Sequence, residues 1–255
     1  MSNRIQKLFA EQKVFAGYIT VGDGGLDQSV AVARALMKGG VNLLELGVPF
    51  SDPVADGPVI QRAAERALKN NTSLFDVLSV AEKLREASQV PLVLFGYFNP
   101  LLHADPVLWL PKAKQAGVDG ILVVDLPYEE GRKFYQQCLA HNIMPISIVT
   151  PATTEARLKK ITRHAKGFLY YATRKGTTGV RSGLPAQFAQ KIAAIKAMTT
   201  LPVLAGFGVA CATDAKEILQ HADGFVVGSF FIKALEEGAS LEKLTALASA
   251  LNPTR

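Results

Sequence analysis

The 255-residue sequence is short of several features that would define a protein class. Its two cysteines, Cys138 and Cys211, lie far apart without metal-ligand spacing, so we expect neither a disulfide framework nor a zinc site. No apolar run approaches the roughly 18 residues that span a bilayer. Residues 1–13 carry charged side chains instead of the apolar core of a signal peptide. We therefore expect a cytoplasmic protein that does not span a membrane.

The overall amino-acid composition is typical of a globular protein. Hydrophobic residues make up 49% and charged residues 20% of the chain, which excludes a disordered or fibrous protein. The 28 lysines and arginines outnumber the 22 acidic residues and give a net charge of +6. The densest basic stretch, residues 157–166, lacks the interleaved aromatics of a single-strand nucleic-acid groove and indicates a solvated helix face. We expect no nucleic-acid partner, because a phosphorylated metabolite accounts for this balance.

Short apolar, β-branched runs bounded by Gly, Pro or Asp recur along the chain, and stretches with helical spacing lie between them. Eight such repeats in about 250 residues fit a (β/α)8 barrel, and the Gly-x-Gly-x-x-Gly turn of a doubly wound sheet is absent. We predict one α/β domain over residues 1–255, a TIM barrel with an N-terminal helix at 1–12 closing its bottom. The predicted strands are 14–21, 42–48, 91–97, 120–126, 144–150, 167–173, 202–208 and 224–230. The predicted helices are 26–37, 59–68, 74–86, 129–139, 154–164, 186–198, 213–219 and 241–251.

The second predicted strand carries one carboxylate among apolar residues. By period two, Glu45 shares a face with Leu43 and Gly47 near the carboxyl end of the strand, where barrels of this kind place their active sites. Burial there would raise the pKa of Glu45 and prepare it for proton transfer. The alternative is a structural acid paired with a lysine or arginine, and we favour the functional role on position.

The Gly- and Pro-rich loop that follows, residues 49–57, carries two aspartates. Asp52 precedes a proline and is typical of a turn former, whereas spacing alone leaves Asp56 open. Glu45 and Asp56 would offer two carboxylates in different settings, one buried and one on a loop. Such a difference lets one site divide proton donation from charge stabilisation.

Glycine-rich turns follow the sixth, seventh and eighth predicted strands, where barrels commonly bind phosphate. Glycines let backbone N–H groups approach an anion, and Ser229 adds a hydroxyl donor. Aromatic side chains at strand ends favour a flat apolar pocket, although each taken singly fits core packing equally well. The four histidines show neither zinc-site spacing nor a catalytic triad. The residues of the predicted cradle are Gly179, Gly206, Gly208, Gly228 and Ser229, and those of the predicted pocket are Tyr18, Tyr97, Tyr170 and Phe207.

Residues 44–61, LELGVPFSDPVADGPVIQ, closely resemble the signature of the tryptophan synthase alpha chain family. The resemblance extends along nearly the whole chain, through motifs at 96–100, 125–130, 176–179, 206–208 and 228–229. It implies a (β/α)8 barrel that cleaves indole-3-glycerol phosphate to indole and glyceraldehyde 3-phosphate. Glu45 would protonate C3 of the indole and help deprotonate the glyceryl hydroxyl, and Asp56 would take the charge that develops at the indole N–H. The other matched positions surround the substrate: Tyr18 and Tyr97 near the indole, Tyr170 in the active site, Thr178 bonded to the catalytic aspartate, and Gly179, Phe207, Gly208, Gly228 and Ser229 around the phosphate.

The resemblance also implies a partner. In the family the alpha chain docks on a pyridoxal-phosphate-dependent beta chain in an αββα complex, and indole passes between them. This chain has no motif for a pyridoxal-phosphate lysine, so we expect no cofactor in it and no metal. Gly17 and Gly24 stand where the family usually has proline, and we expect a softer pocket wall there.

Three other functions remain open from the sequence. A sugar-phosphate isomerase or epimerase of the same fold would need no ring pocket. A non-catalytic activator of the beta chain would be expected to lack Glu45 or Asp56, and both are present. A stand-alone lyase that releases free indole differs from the partnered form in nothing that the sequence shows.

Overall fold

Eight parallel strands close into a barrel in chain order in the computed structural model, which describes residues 3–172, 184–185, 187–206 and 208–253. Each strand pairs with its sequence neighbours, and β1 also pairs with β8, which confirms the predicted (β/α)8 fold. The strands are β1 (Val14–Thr20), β2 (Leu43–Gly47), β3 (Leu92–Gly96), β4 (Gly120–Val123), β5 (Met144–Val149), β6 (Leu169–Ala172), β7 (Val203–Gly206) and β8 (Gly224–Val227). Positions 173, 186 and 207, which belong to predicted elements, lie outside the described residues.

The helices pack around the barrel and at its lower end. Within the described residues they are α1 (Arg4–Glu11), α2 (Leu26–Lys38), α3 (Pro58–Lys69), α4 (Leu74–Arg85), α5 (Phe98–His103), α6 (Pro106–Gln115), α7 (Tyr128–Ala140), α8 (Glu155–His164), α9 (Phe188–Lys196), α10 (Ala212–Leu219), α11 (Ser229–Glu236) and α12 (Leu241–Leu251). None of them is long and apolar enough to cross a bilayer.

Two helices between β3 and β4 were not predicted. Three prolines interrupt the helical pattern of this segment, at positions 100, 106 and 111. Pro106 is accommodated because it opens α6, where the backbone N–H has no intrahelical partner, and Asp105 caps that helix through Val107 N–H. Pro111 lies inside α6, so the packing of its buried Trp109 and Leu110 outweighs the lost hydrogen bond.

The predicted eighth strand was too long at its carboxyl end. β8 ends at Val227, Gly228 is the N-cap of α11, and the apolar run that follows is helical. Phe231 and Ile232 are buried on the inner face of this helix. A run of aromatic and β-branched residues has the composition of a strand. This segment is helical because it packs against the barrel as a helix, and the sequence pattern does not show that packing.

The barrel interior is filled from below by α1, as predicted for the N-terminal segment. Ile5 and Leu8 belong to the cluster inside the barrel, together with Leu43 of β2 and Phe168, which directly precedes β6. Asn3 caps the helix and donates to the carbonyl oxygens of Asp119 and Asn142, at 2.8 and 3.0 Å. These contacts close the amino-terminal end of the barrel, and the polar side chains on the inner face gather at the opposite end.

A cluster of ion pairs joins the two helices beside that open end. Arg62 of α3 binds both carboxylate oxygens of Glu236 at the end of α11, at 2.7 and 2.6 Å. Arg66 donates to Glu236 at 2.8 Å and also donates one hydrogen bond to each carboxylate oxygen of Asp23. The pairs therefore hold α11, which begins at the predicted phosphate cradle, against α3, which follows the loop that carries Asp56.

Gly17 and Gly24, for which the resemblance implies proline, differ in their backbone. Gly24 has φ +81°, a conformation that a proline ring, held near −65°, cannot adopt. Gly17 lies within β1, where an added Cβ would stand 3.1 Å from the Val41 side chain. The turn after β1 thus follows a path that requires glycine.

Candidate active site

Glu45 points into the barrel near the carboxyl end of β2. Its neighbours Leu44 and Leu46 belong to the core outside the barrel and Leu43 to the core inside it, so the separation of the two faces predicted from period two is confirmed. The side chain is 1% exposed, and within the described residues its Oε1 has no hydrogen-bond partner and the carboxylate forms no ion pair. Burial raises the pKa of Glu45 to about 8. The described part of the chain thus offers no structural partner for this acid, and Glu45 can hold a proton at neutral pH.

Asp56 lies in the loop after β2 and is also buried, with 6% of the residue exposed. The Tyr97 hydroxyl donates to its Oδ2 at 2.9 Å and accepts from the backbone N–H of Ala55 at 3.0 Å. Burial raises the pKa of Asp56 to about 6, and the hydrogen bond from Tyr97 opposes that rise. Asp56 is therefore largely ionised at pH 7, whereas Glu45 is largely protonated.

Asp52 behaves as the turn former that its position predicts. It is exposed, and its carboxylate accepts a hydrogen bond from the neighbouring Ser51 hydroxyl. Its carbonyl oxygen accepts from Val54 N–H at 2.9 Å, which closes the turn. Of the two loop aspartates, only Asp56 is buried against the barrel.

Three aromatic rings form a row across the open end of the barrel. Tyr18 contacts Phe95 edge to face, with ring centroids 5.3 Å apart, and Phe95 contacts Tyr170 at 6.5 Å. Glycines make room for the outer rings, since a Cβ at Gly47 would overlap Tyr18 and a Cβ at Gly206 would overlap Tyr170. The predicted ring wall therefore gains Phe95, which period two along β3 could have identified because Val93 faces inward.

Burial and the two carboxylates act together on the tyrosines of this row. The pKa values of Tyr18 and Tyr170 are raised first by burial and then by the nearby charges of Glu45 and Asp56. Both hydroxyls therefore stay protonated through the neutral range. Tyr97 stands apart from the row, against Phe50 at 5.2 Å, and reaches the site through its hydroxyl.

The predicted phosphate cradle is described in part. Gly228 caps α11 and Ser229 is the first residue of that helix, so the N–H groups of the first turn face the end of β8. An added Cβ at Gly228 would lie 3.2 Å from Tyr18 Cβ, which places the cradle beside the aromatic row. Gly208 lies in the loop after β7. Thr178, Gly179 and Phe207, also predicted for the site, lie outside the described residues. No group of three metal-ligating side chains comes together in the part of the chain that is described.

The fold and the site together define a (β/α)8-barrel enzyme with two buried carboxyl groups at the mouth of the barrel. The family model for the tryptophan synthase alpha chain matches residues 5–253. The chain is 53% identical to the tryptophan synthase alpha chain of Coxiella burnetii (strain CbuK_Q154) over 251 residues, which cover 98% of each protein. It is 50% identical to that of Chlamydia felis (strain Fe/C-56), over 98% of this chain and 99% of the relative.

Solved structures of tryptophan synthase alpha chains have the same fold as this chain. The crystal structure of the Legionella pneumophila tryptophan synthase alpha chain superposes with a TM-score of 0.88 at 35% identity, over 98% of this chain and 96% of that one. A structure of Mycobacterium tuberculosis tryptophan synthase gives a TM-score of 0.91 at 33% identity, over 98% and 97%. The chain belongs to the tryptophan synthase alpha chain family, whose members are part of a lyase complex.

Proposed function

We propose that this chain cleaves indole-3-glycerol phosphate to indole and glyceraldehyde 3-phosphate, with Glu45 and Asp56 as its catalytic groups. The observation that carries the proposal is the pair of buried carboxyl groups, whose pKa values of about 8 and about 6 leave one protonated and the other ionised near pH 7. A retro-aldol cleavage of this substrate needs both states at once.

The reaction follows from those two protonation states. Glu45 donates its proton to C3 of the indole ring, and Asp56 stabilises the positive charge that develops at the ring N–H. The Glu45 carboxylate then accepts the proton of the hydroxyl on the carbon attached to C3. As that carbon becomes an aldehyde, the electron pair of the broken C–C bond returns to the ring. Glu45 ends the cycle protonated, so no outside acid or base is consumed.

Other residues of the site bind the two ends of the substrate. The row of Tyr18, Phe95 and Tyr170 offers a flat apolar wall for the indole ring. The first turn of α11, with Gly228 and Ser229, offers N–H groups and a hydroxyl for the phosphate. Tyr97 would act chiefly by positioning Asp56, because its hydroxyl is bonded to that carboxylate.

The family indicates the partner and the setting of this reaction. We infer that the chain works with a tryptophan synthase beta chain, that the complex is αββα, and that pyridoxal phosphate is held by the beta chain. The alpha reaction written above needs no cofactor, since acid–base chemistry completes it. Cytoplasmic localisation stays a prediction that rests on the charged amino-terminal segment and the sparse cysteines.

Two isosteric variants test the proposal. Glu45→Gln removes the titrating proton and Asp56→Asn removes the negative charge, and neither changes the size of the side chain. With the beta chain present, we expect each variant to lose at least about 100-fold in kcat for indole formation while still binding glyceraldehyde 3-phosphate. Glu82→Gln on the exposed face of α4 is the control and should match the wild type. Near-wild-type turnover by Glu45→Gln would refute the assigned role.

A further inference from the structure

The side chain of Tyr18 connects the two ends of the site. Its Cβ lies beside Gly228 at the start of α11, and its hydroxyl lies over Gly47. Tyr18 and Glu45 are also Cα partners in the pairing of β1 with β2. The ring therefore extends from the predicted phosphate cradle to the strand that carries the catalytic glutamate.

The Tyr18 hydroxyl is held by one neighbour and has its own proton left over. Thr20, two residues further along the inner face of β1, donates from Oγ1 to the Tyr18 oxygen at 3.3 Å, and both residues are buried. A phenol carries a single proton. Because its oxygen accepts from Thr20, that proton is directed elsewhere, and within the described residues no acceptor takes it. A buried donor without a partner is costly, which indicates that a ligand oxygen satisfies it.

The position of that oxygen follows from the proposed function, on which this inference rests. If the phosphate binds at α11 and the C–C bond breaks beside Glu45, the glyceryl chain must cross the Tyr18 ring from one end to the other. The chain carries two hydroxyl groups, and the one next to the indole ring lies at the Glu45 end. It is also the one that develops negative charge when its proton leaves.

We propose that the Tyr18 hydroxyl, oriented by Thr20, donates a hydrogen bond to the oxygen that becomes the aldehyde of glyceraldehyde 3-phosphate. The tyrosine keeps its proton throughout, and Glu45 remains the group that takes the hydroxyl proton. Tyr18 is then a catalytic residue that stabilises developing charge, and Thr20 is a positioning residue. The raised pKa of Tyr18 fits this task, since the phenol keeps its proton and stays a donor through the neutral range.

The competing account treats Tyr18 as part of the ring wall and nothing more. It predicts that the hydroxyl is dispensable and that only the aromatic ring matters. Tyr18→Phe separates the two accounts, because it removes the hydroxyl and keeps the ring that contacts Phe95. Tyr171→Phe is the matched control, since Tyr171 is buried in the core outside the barrel.

The experiment measures kcat for indole release from indole-3-glycerol phosphate by the alpha chain with its beta chain. It also measures the Kd of an analogue with an unsubstituted propyl chain between indole and phosphate. We expect Tyr18→Phe to lower kcat about 10- to 100-fold and to change the Kd of the analogue less than twofold, because the analogue lacks the oxygen. Thr20→Val should lower kcat about threefold to tenfold, and Thr20→Ser should restore most of that loss.

Each outcome decides the inference. A Tyr18→Phe enzyme with wild-type kcat overturns it. So does a Tyr18→Phe enzyme whose Kd for the analogue rises by as large a factor as its kcat falls, since that result indicates a packing role. A loss of the same size in Tyr171→Phe also overturns it, because the effect would then be general to buried tyrosines. If the wild type releases no indole, the proposed function fails first and the inference falls with it. Thermal unfolding of each variant shows whether it is folded.

Discussion

Replacing Glu45 by glutamine should stabilise the protein in a way that grows with pH. Glu45 has a pKa of about 8 in the folded chain, against an ordinary value of 4.5. Between those two values the folded state holds a proton that the unfolded state releases, so stability falls as pH rises. Glutamine does not titrate, so the variant does not lose this stability as the pH rises.

The size of the effect follows from the same two pKa values. By linkage, the folded wild type is penalised by about 1 kcal/mol at pH 5 and about 4 kcal/mol at pH 8, so the advantage of the variant grows by about 3 kcal/mol. Any fixed cost of burying the amide appears at both pH values and cancels in the difference. For a chain of this length, about 3 kcal/mol corresponds to roughly 6–12 °C in Tm.

The assay is thermal unfolding of wild type and Glu45→Gln, followed by far-ultraviolet circular dichroism at pH 5 and pH 8. We expect the Tm difference between the two proteins to increase by that amount between the two pH values. Glu82→Gln, on the exposed face of α4, should show a nearly constant difference from the wild type. A Glu45→Gln difference that is the same at both pH values would mean that Glu45 titrates as an ordinary carboxyl group, and the acid–base assignment would lose its basis.

Three further predictions concern activity. The pH profile of kcat/KM should rise above about pH 6 as Asp56 ionises and fall above about pH 8 as Glu45 loses its proton, and a profile that is flat from pH 5 to pH 9 would contradict both assignments. Tyr97→Phe removes the hydrogen bond that lowers the pKa of Asp56, so the acidic limb of that profile should move to higher pH, and an unmoved limb would show that Tyr97 does not act through Asp56. Ser229→Asp introduces a negative charge at the start of α11 and should raise KM at least tenfold, whereas an unchanged KM would place the phosphate elsewhere.

Glu45 and Asp56, the proposed catalytic pair, illustrate what the sequence could predict. The alternation of Leu43, Glu45 and Gly47 put the glutamate on one face of a strand, opposite the flanking leucines, because side-chain direction in a strand is a local property. The burial of Asp56 could not be predicted from such a local pattern. Asp56 contacts Tyr97, 41 residues away, whose hydroxyl donates to the carboxylate and accepts from Ala55 N–H. A contact of this kind forms only when the chain folds.

Helix α6 and the hydrogen bond of the Tyr18 hydroxyl are two other features that the sequence could not predict. Helix α6 was not predicted because the low helix propensity of proline at positions 106 and 111 disfavours a helix. The packing of the buried Trp109 stabilises the helix despite these prolines. Tyr18 was predicted as a wall of the ring pocket, which is a property of its aromatic ring. Its hydroxyl bond to Thr20 depends on two rotamers, and the sequence pattern carries no information about those.

Indole release from indole-3-glycerol phosphate is the reaction that the proposed function requires of this chain. The measurement compares the purified chain alone with the chain mixed with an equimolar beta chain, and it follows indole and glyceraldehyde 3-phosphate together. We expect equal amounts of the two products, slow release by the chain alone and strong acceleration by the partner. Fast release that the beta chain does not change would indicate a stand-alone lyase. If neither condition releases indole, the proposed function is wrong.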